Sequence, residues 1–120
     1  MARDHRRLHL FQLADRLVLE VYRVTRGFPA EERYGLQSQL RRSALSVASN
    51  IVEGSARRST REYVNFLNQA NGSAAESLYL LTVALRLDFV REQDVRPMSE
   101  QYSQVNRGLT AMINALATRD

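Results

Sequence analysis

Apolar residues recur along the chain at intervals of three and four positions, never in the alternation of strands, and glycine and proline punctuate them at three places. Gly27-Phe28-Pro29 closes a first segment, Gly54-Ser55 closes a second, and Pro97 opens a last one. The spacing predicts a first helix over roughly 7–26, with Leu10, Leu13, Ala14, Leu17, Val21 and Val24 on one face. A second helix is predicted over roughly 31–54, carrying Leu36, Leu40, Ala44, Val47 and Ile51. The third, roughly 59–87, opens on a capping box of Ser59 and Glu62, and its face runs through Tyr63, Phe66, Leu67, Ala70, Ala74, Leu78, Leu81 and Leu85. The fourth, roughly 97–118, aligns Met98, Tyr102, Val105, Leu109, Met112 and Leu116. Short connections force consecutive helices to run antiparallel. The expected fold is therefore all-α, an up-down-up-down antiparallel four-helix bundle forming a single domain over residues 1–120.

A solitary bundle needs one apolar face per helix, yet three of these helices have a second. Behind the core stripe run Leu8, Phe11, Val18 and Tyr22 on the first helix, and Leu45, Ala48 and Val52 on the second. Gly72, Ala75, Tyr79, Val83 and Leu87 do the same on the third, whereas Gln101, Gln104, Arg107, Gly108 and Thr110 keep the rear of the fourth polar. The expectation is a homo-oligomer joined through Leu8, Phe11, Val18, Tyr22, Leu45, Val52, Tyr79 and Val83, with the fourth helix facing water. The second helix also carries a polar stripe of Gln39, Arg42, Ser46, Asn50 and Glu53, thinned by Ser43, Ser49 and the alanines. Glu76 falls at the same level on the third helix. The pattern predicts a buried polar network of Gln39, Arg42, Asn50, Glu53 and Glu76, with Arg42 as the first partner of Glu76, within or between subunits, and Arg41 as the second; a ligand site is the other reading of these residues.

Of the 120 residues, 17 are basic and 13 acidic, for a formal net charge of +4, and every cation is an arginine. There is no cysteine, which excludes disulfides, thiolate zinc sites and cysteine nucleophiles. No apolar run approaches the roughly 20 residues of a membrane span, and the N-terminus lacks the apolar core of a signal peptide, so a cytoplasmic location is expected. His5 and His9 stand at metal-binding spacing with only Asp4 nearby, no Glu-x-x-His pair occurs, and the Gly-Ser pairs lack the lysine of a phosphate loop. No enzymatic activity, metal or cofactor is expected. Charge is distributed unevenly. The up-down topology gathers Arg3, Arg6, Arg7, Arg57, Arg58, Arg61 and Arg119 at one end against Asp4, Glu62 and Asp120, while the arginines of the other end meet as many carboxylates. Arg3, Arg6, Arg7, Arg57, Arg58 and Arg61 are the candidate nucleic-acid-binding residues, gripping phosphate without reading bases. The competing reading is a structural or protein-scaffolding oligomer with no nucleic-acid partner, whose charge serves solubility.

Three spaced motifs carry a resemblance. The segment Phe28-Pro29-Ala30-Glu31-Glu32-Arg33-Tyr34-Gly35-Leu36-Gln37-Ser38-Gln39-Leu40-Arg41-Arg42 is similar to F-P-x-x-E-x-Y-G-L-x-x-Q-x-R-R. Ser46-Val47-Ala48-Ser49-Asn50-Ile51-Val52-Glu53-Gly54 is similar to S-I-x-x-N-I-A-E-G, with Val52 in place of the usual alanine. Phe66 to Glu76 is similar to F-L-x-x-A-x-G-S-x-x-E. In this order they resemble the four-helix-bundle proteins encoded in 23S rRNA intervening sequences, the S23 family. The resemblance implies a homopentameric ring of bundles, related in fold to the accessory protein of diversity-generating retroelements. It implies no established enzymatic activity, and it points to nucleic acid, because some members are encoded inside rRNA insertions and the retroelement relative acts with RNA. Such proteins commonly carry lysines, and this chain has none.

Overall fold

The computed structural model describes residues 3–5 and 8–117. Four helices account for nearly all of them: α1 (His9–Thr25), α2 (Leu36–Ser55), α3 (Thr60–Arg86) and α4 (Glu92–Ala117), with a short 3-10 turn at Ala30–Glu32 between α1 and α2. Among the described residues there is no strand. Contacts in sequence order establish the antiparallel arrangement. Ser43 meets Ser77 and Ser46 meets Ser73 across α2 and α3, while Leu10 abuts Gly108 and Arg23 reaches Asp94 across α1 and α4. Each helix packs on two neighbours.

The core is the set of faces the spacing predicts. Leu17, Leu40, Ile51, Leu67, Leu81, Met98 and Leu109 are fully buried, with Phe28 closing one end of the bundle against Phe89, ring centroids 5.5 Å apart. Burial of each large aliphatic side chain contributes about 1.5–3 kcal/mol, which is what holds the four helices together. Small residues set the spacing where backbones come closest. A Cβ on Gly54 would lie 2.9 Å from the Cβ of Phe66 and 3.0 Å from the Tyr63 ring, so only glycine lets α2 meet the start of α3 there.

Two helix starts differ from the predicted ones. The second helix does not begin near residue 31. Gly35, at ψ −114°, lies outside helical geometry, and the Glu32 carboxylate turns back to accept the Leu36 N–H at 3.0 Å, so α2 starts after this cap. The fourth helix starts five residues before Pro97, which therefore sits inside it. Val95 extends the apolar stripe by one turn, and Glu92 and Asp94 place negative charge in the first turn, where the helix dipole favours it. The start of α3 is as predicted: Ser59 Oγ accepts the Glu62 N–H at 3.0 Å. Arg7 and residue 118, at the outer limits of the predicted first and fourth helices, lie outside the described residues.

The end of α3 holds a residue that local sequence signals do not announce. Phe89 N–H donates to the Ala84 carbonyl at 2.9 Å and Asp88 N–H to that of Leu85 at 3.0 Å, a Schellman cap with Asp88 at φ 61° in the position where glycine is at ease. Asp88→Gly is expected to raise stability by about 0.5–1 kcal/mol, read as a higher Tm.

Tyr102 poses the opposite case. Its side chain is wholly buried, and its hydroxyl has no partner in hydrogen-bond geometry among the described residues. Burial pushes the phenol far above its ordinary pKa; the Ser77 hydroxyl pulls it back, but that group's own bonds run to Ser43 and to the Ser73 carbonyl. Tyr102→Phe is therefore expected to leave stability unchanged or raise it by up to about 1 kcal/mol in urea unfolding, since the deleted oxygen contributes only desolvation cost.

Candidate nucleic-acid interface

The start of α1, the α2–α3 turn and the end of α4 share one end of the bundle. The N-terminal segment is pinned there by Arg3: its N–H donates to the Ser55 carbonyl at 2.8 Å, its guanidinium donates to the Arg57 carbonyl at 3.1 Å, and the same plane lies 4.2 Å from the centre of the Tyr63 ring. Arg3 is thus half-buried and engaged by the fold. Tyr63 is buried beneath it. Desolvation pushes its phenol pKa up, with Ser55 and the Arg3 charge acting in the other direction. Arg57, Arg58 and Arg61 are exposed. Arg57 stacks 4.8 Å from the Phe66 ring centre, which steadies the guanidinium without using its donors. None of these three arginines has a carboxylate partner among the described residues. Arg6, Arg7 and Arg119 lie outside the described residues.

The opposite end behaves differently. Arg23 donates to Glu20 at 3.0 Å and reaches Asp94, which also accepts from Arg91 at 3.4 Å, and Arg96 pairs with Glu92. The Arg23 hydrogen bond holds the Glu20 carboxyl below its ordinary pKa. The pair's stabilisation is therefore present at neutral pH and is lost as pH falls through the Glu20 pKa. It is small, because both side chains stand largely in solvent.

Between α2 and α3 the polar stripe is arranged otherwise than in the within-chain form of the prediction. Gln39, Arg42, Glu53 and Glu76 are exposed and Asn50 is half-buried, so the five do not form a buried network within the chain. Glu76 accepts from Gln39 Nε2 at 3.2 Å, not from Arg42. Arg42 lies three positions from Gln39, about 60° further around the helix and turned outward. Arg41 faces α1 instead, donating to Thr25 Oγ1 at 2.8 Å and lying over the Tyr22 ring. The buried polar contact is the Ser43–Ser77 hydroxyl pair at 2.8 Å, extended by Ser46–Ser73 and by Asn50 donating to Ser46. Two short side chains close this seam where longer polar groups would hold the helices apart.

The rear apolar stripes also divide. Val18 belongs to the chain's own core, and Leu8, Phe11 and Tyr22 are half-buried against it, because α1 rolls that side into the seam with α2. Phe11 additionally meets His5 edge-on at 4.8 Å. Leu45 and Tyr79 remain outward, 44% and 61% exposed, beside half-buried Val52 and Val83. Leu19 and Leu87 are exposed as well; Leu19 is outside the predicted stripe, since it points away from both neighbouring helices. Gly72 stands on the outer face of α3, where an added Cβ would meet nothing within 4 Å. Among the described residues, no group of three histidine, cysteine or carboxylate side chains could hold a metal, and no helix is long and apolar enough to cross a membrane.

The sequence model of the 23S rRNA-intervening sequence protein family matches residues 6–111. The bundle is similar to a crystal structure of a protein of unknown function from the S23 ribosomal protein family of Bacteroides thetaiotaomicron, with a TM-score of 0.80 and 20% identity, covering 88% of this chain and 95% of that one. At that identity the likeness shows a shared fold. A comparison with curated proteins finds no match.

Proposed function

Since the chain belongs to the 23S rRNA-intervening sequence protein family, we propose that it is a non-catalytic, homo-oligomeric module that holds RNA by its phosphate backbone at the arginine-rich end of the bundle. The observation that carries this reading is the contrast between the two ends. Among the described residues Arg57, Arg58 and Arg61 are exposed without carboxylate partners, whereas at the far end Arg23, Arg91 and Arg96 are paired and Arg26 and Arg33 are not. Guanidinium groups left unpaired are free to donate two parallel hydrogen bonds to a phosphate, and the Phe66 stack holds one of them in place.

Self-association multiplies that patch. Leu45, Tyr79 and the open space above Gly72 lie on the adjoining outer faces of α2 and α3 and support a ring closed by one repeated, head-to-tail contact, a pentamer by the resemblance of the chain. The notch bounded by Gln39, Arg42, Ser46 and Glu76 on the same faces supplies polar groups for the partner subunit. The test is retention of labelled RNA at low ionic strength. The proposal expects binding that weakens steeply with salt. A scaffold whose charge serves only solubility would retain none.

A further inference from the structure

Leu45 and Tyr79, both exposed, are turned to opposite sides of the bundle. Successive residues of a helix stand about 100° apart around its axis. Leu45 therefore lies about 40° around α2 from Arg41, which bonds to α1, and about 160° from Ser43, which bonds to α3. Tyr79 lies about 80° around α3 from Asn71, which bonds to α4, and about 120° from Ser73, which bonds to α2. Leu45 thus belongs to the α1 side of the molecule and Tyr79 to the α4 side.

The two sides differ in form. Beside Leu45 runs an apolar seam between α1 and α2. Phe11, Tyr22 and Val52 are half-buried along it, and Leu19, 68% exposed, stands at its α1 rim. Tyr79 instead projects from a thin stretch of helix, with Ala75 one turn before it and Gly72 two turns before, where an added Cβ would meet nothing. A projecting ring fits a seam better than either fits its own copy. Charge agrees with that pairing. Asp15 interrupts the seam and holds no ion pair among the described residues. Arg107, about 60° around α4 from Thr110, is exposed on the Tyr79 side and holds none among them either.

We propose that the subunit contact joins these unlike sides: the Tyr79 ring of one copy enters the α1–α2 seam of the next, against Leu19, Tyr22 and Leu45, and Arg107 of the first copy meets Asp15 of the second. The inference rests on the self-association in the proposed function and specifies its two halves. Each copy brings one seam and one ring, so every contact leaves one of each unfilled, and the series ends only by closing on itself. The pairing also gives Leu19 the apolar neighbour that its own chain does not supply.

The chain has no cysteine, so single introduced cysteines can mark the two sides. Ser49 stands one turn from Leu45 and Ala75 one turn from Tyr79, both toward the arginine-rich end. Both are exposed, and Ser49 gives up only a 3.4 Å bond to the Ser46 carbonyl. Ser49→Cys and Ala75→Cys chains are produced separately and also co-expressed, then treated with a short bismaleimide. The expected result is a covalent dimer, twice 13.7 kDa on a denaturing gel, from the co-expressed pair and from neither variant alone. A chain carrying both changes should link onward into larger species. Linking of either variant to itself shows that like sides meet, and overturns the proposal. So does the absence of a dimer from the pair when light scattering shows the parent assembled; self-association then stands and its assigned faces do not. A parent that scatters as a single chain overturns both.

Discussion

Leu45→Asp with Tyr79→Asp is expected to convert the proposed oligomer into single 13.7 kDa chains without unfolding them. Both side chains point out of the isolated bundle, so neither change opens a cavity or strands a buried partner, and the cost to the chain itself should stay within about 0.5 kcal/mol. In a ring each aspartate would instead be buried against a neighbouring subunit. An uncompensated carboxylate there costs several kcal/mol, about 3–5 for a charge left without a partner, and every interface would contain the defect. Light scattering on parent and variant checks the mass, and circular dichroism checks the fold. Gly72→Ala provides a finer arm of the same test. Within the chain a Cβ there meets nothing, so alanine should strengthen α3 by up to about 1 kcal/mol. If a neighbouring subunit's backbone comes close at Gly72, the same methyl group weakens association, so the subunit becomes more stable as the ring becomes less so. A parent that scatters as a single chain contradicts the ring outright.

Arg57→Gln, Arg58→Gln and Arg61→Gln together should lower the affinity for RNA by about a hundredfold at low salt, taking roughly 1 kcal/mol for each exposed charge-assisted contact. The change removes three positive charges from a chain whose formal net charge is +4. Its structural cost is confined to the stack of Arg57 on Phe66, worth about 0.5–1 kcal/mol at an exposed site, so the variant should fold and assemble as the parent does. Filter binding or anisotropy reads the affinity, and a Tm that falls by no more than a few degrees shows that the loss is one of contact and not of fold.

What the sequence discloses about this fold follows the range of the interaction. The periodicities of α2 and α4 place Leu40, Val47, Ile51, Tyr102 and Leu109 in the core because helical spacing is local and each stripe is long. The Ser59–Glu62 cap is equally local and equally legible. Pro97 misleads, since proline commonly opens helices and here lies within one whose start is drawn back by the burial of Val95. Asp88 is invisible as a cap because the sequence signal for that geometry is glycine. The site residues depend on how far each helix rolls about its axis, a quantity that three-four spacing does not determine. A roll of α1 toward α2 takes Val18 from the supposed interface into the core, and the position of Arg42, some 60° from Gln39, leaves Glu76 with an amide partner instead of a guanidinium. Arg3 is the clearest case. Composition marks it as one more phosphate-binding cation, whereas its contacts with Ser55, Arg57 and Tyr63 make it the clasp of the N-terminal segment.

The central claim, that exposed arginines at one end of the bundle hold an RNA backbone, is tested most directly by titrating labelled single-stranded RNA with the parent chain over a series of salt concentrations. The account predicts a linear fall of log K with log salt, and a slope that is shallower by about 2 in the Arg57, Arg58 and Arg61 triple variant, one step of about 0.7 for each phosphate contact removed. Binding with the same slope in both proteins, or no binding by the parent at the lowest salt, would contradict it.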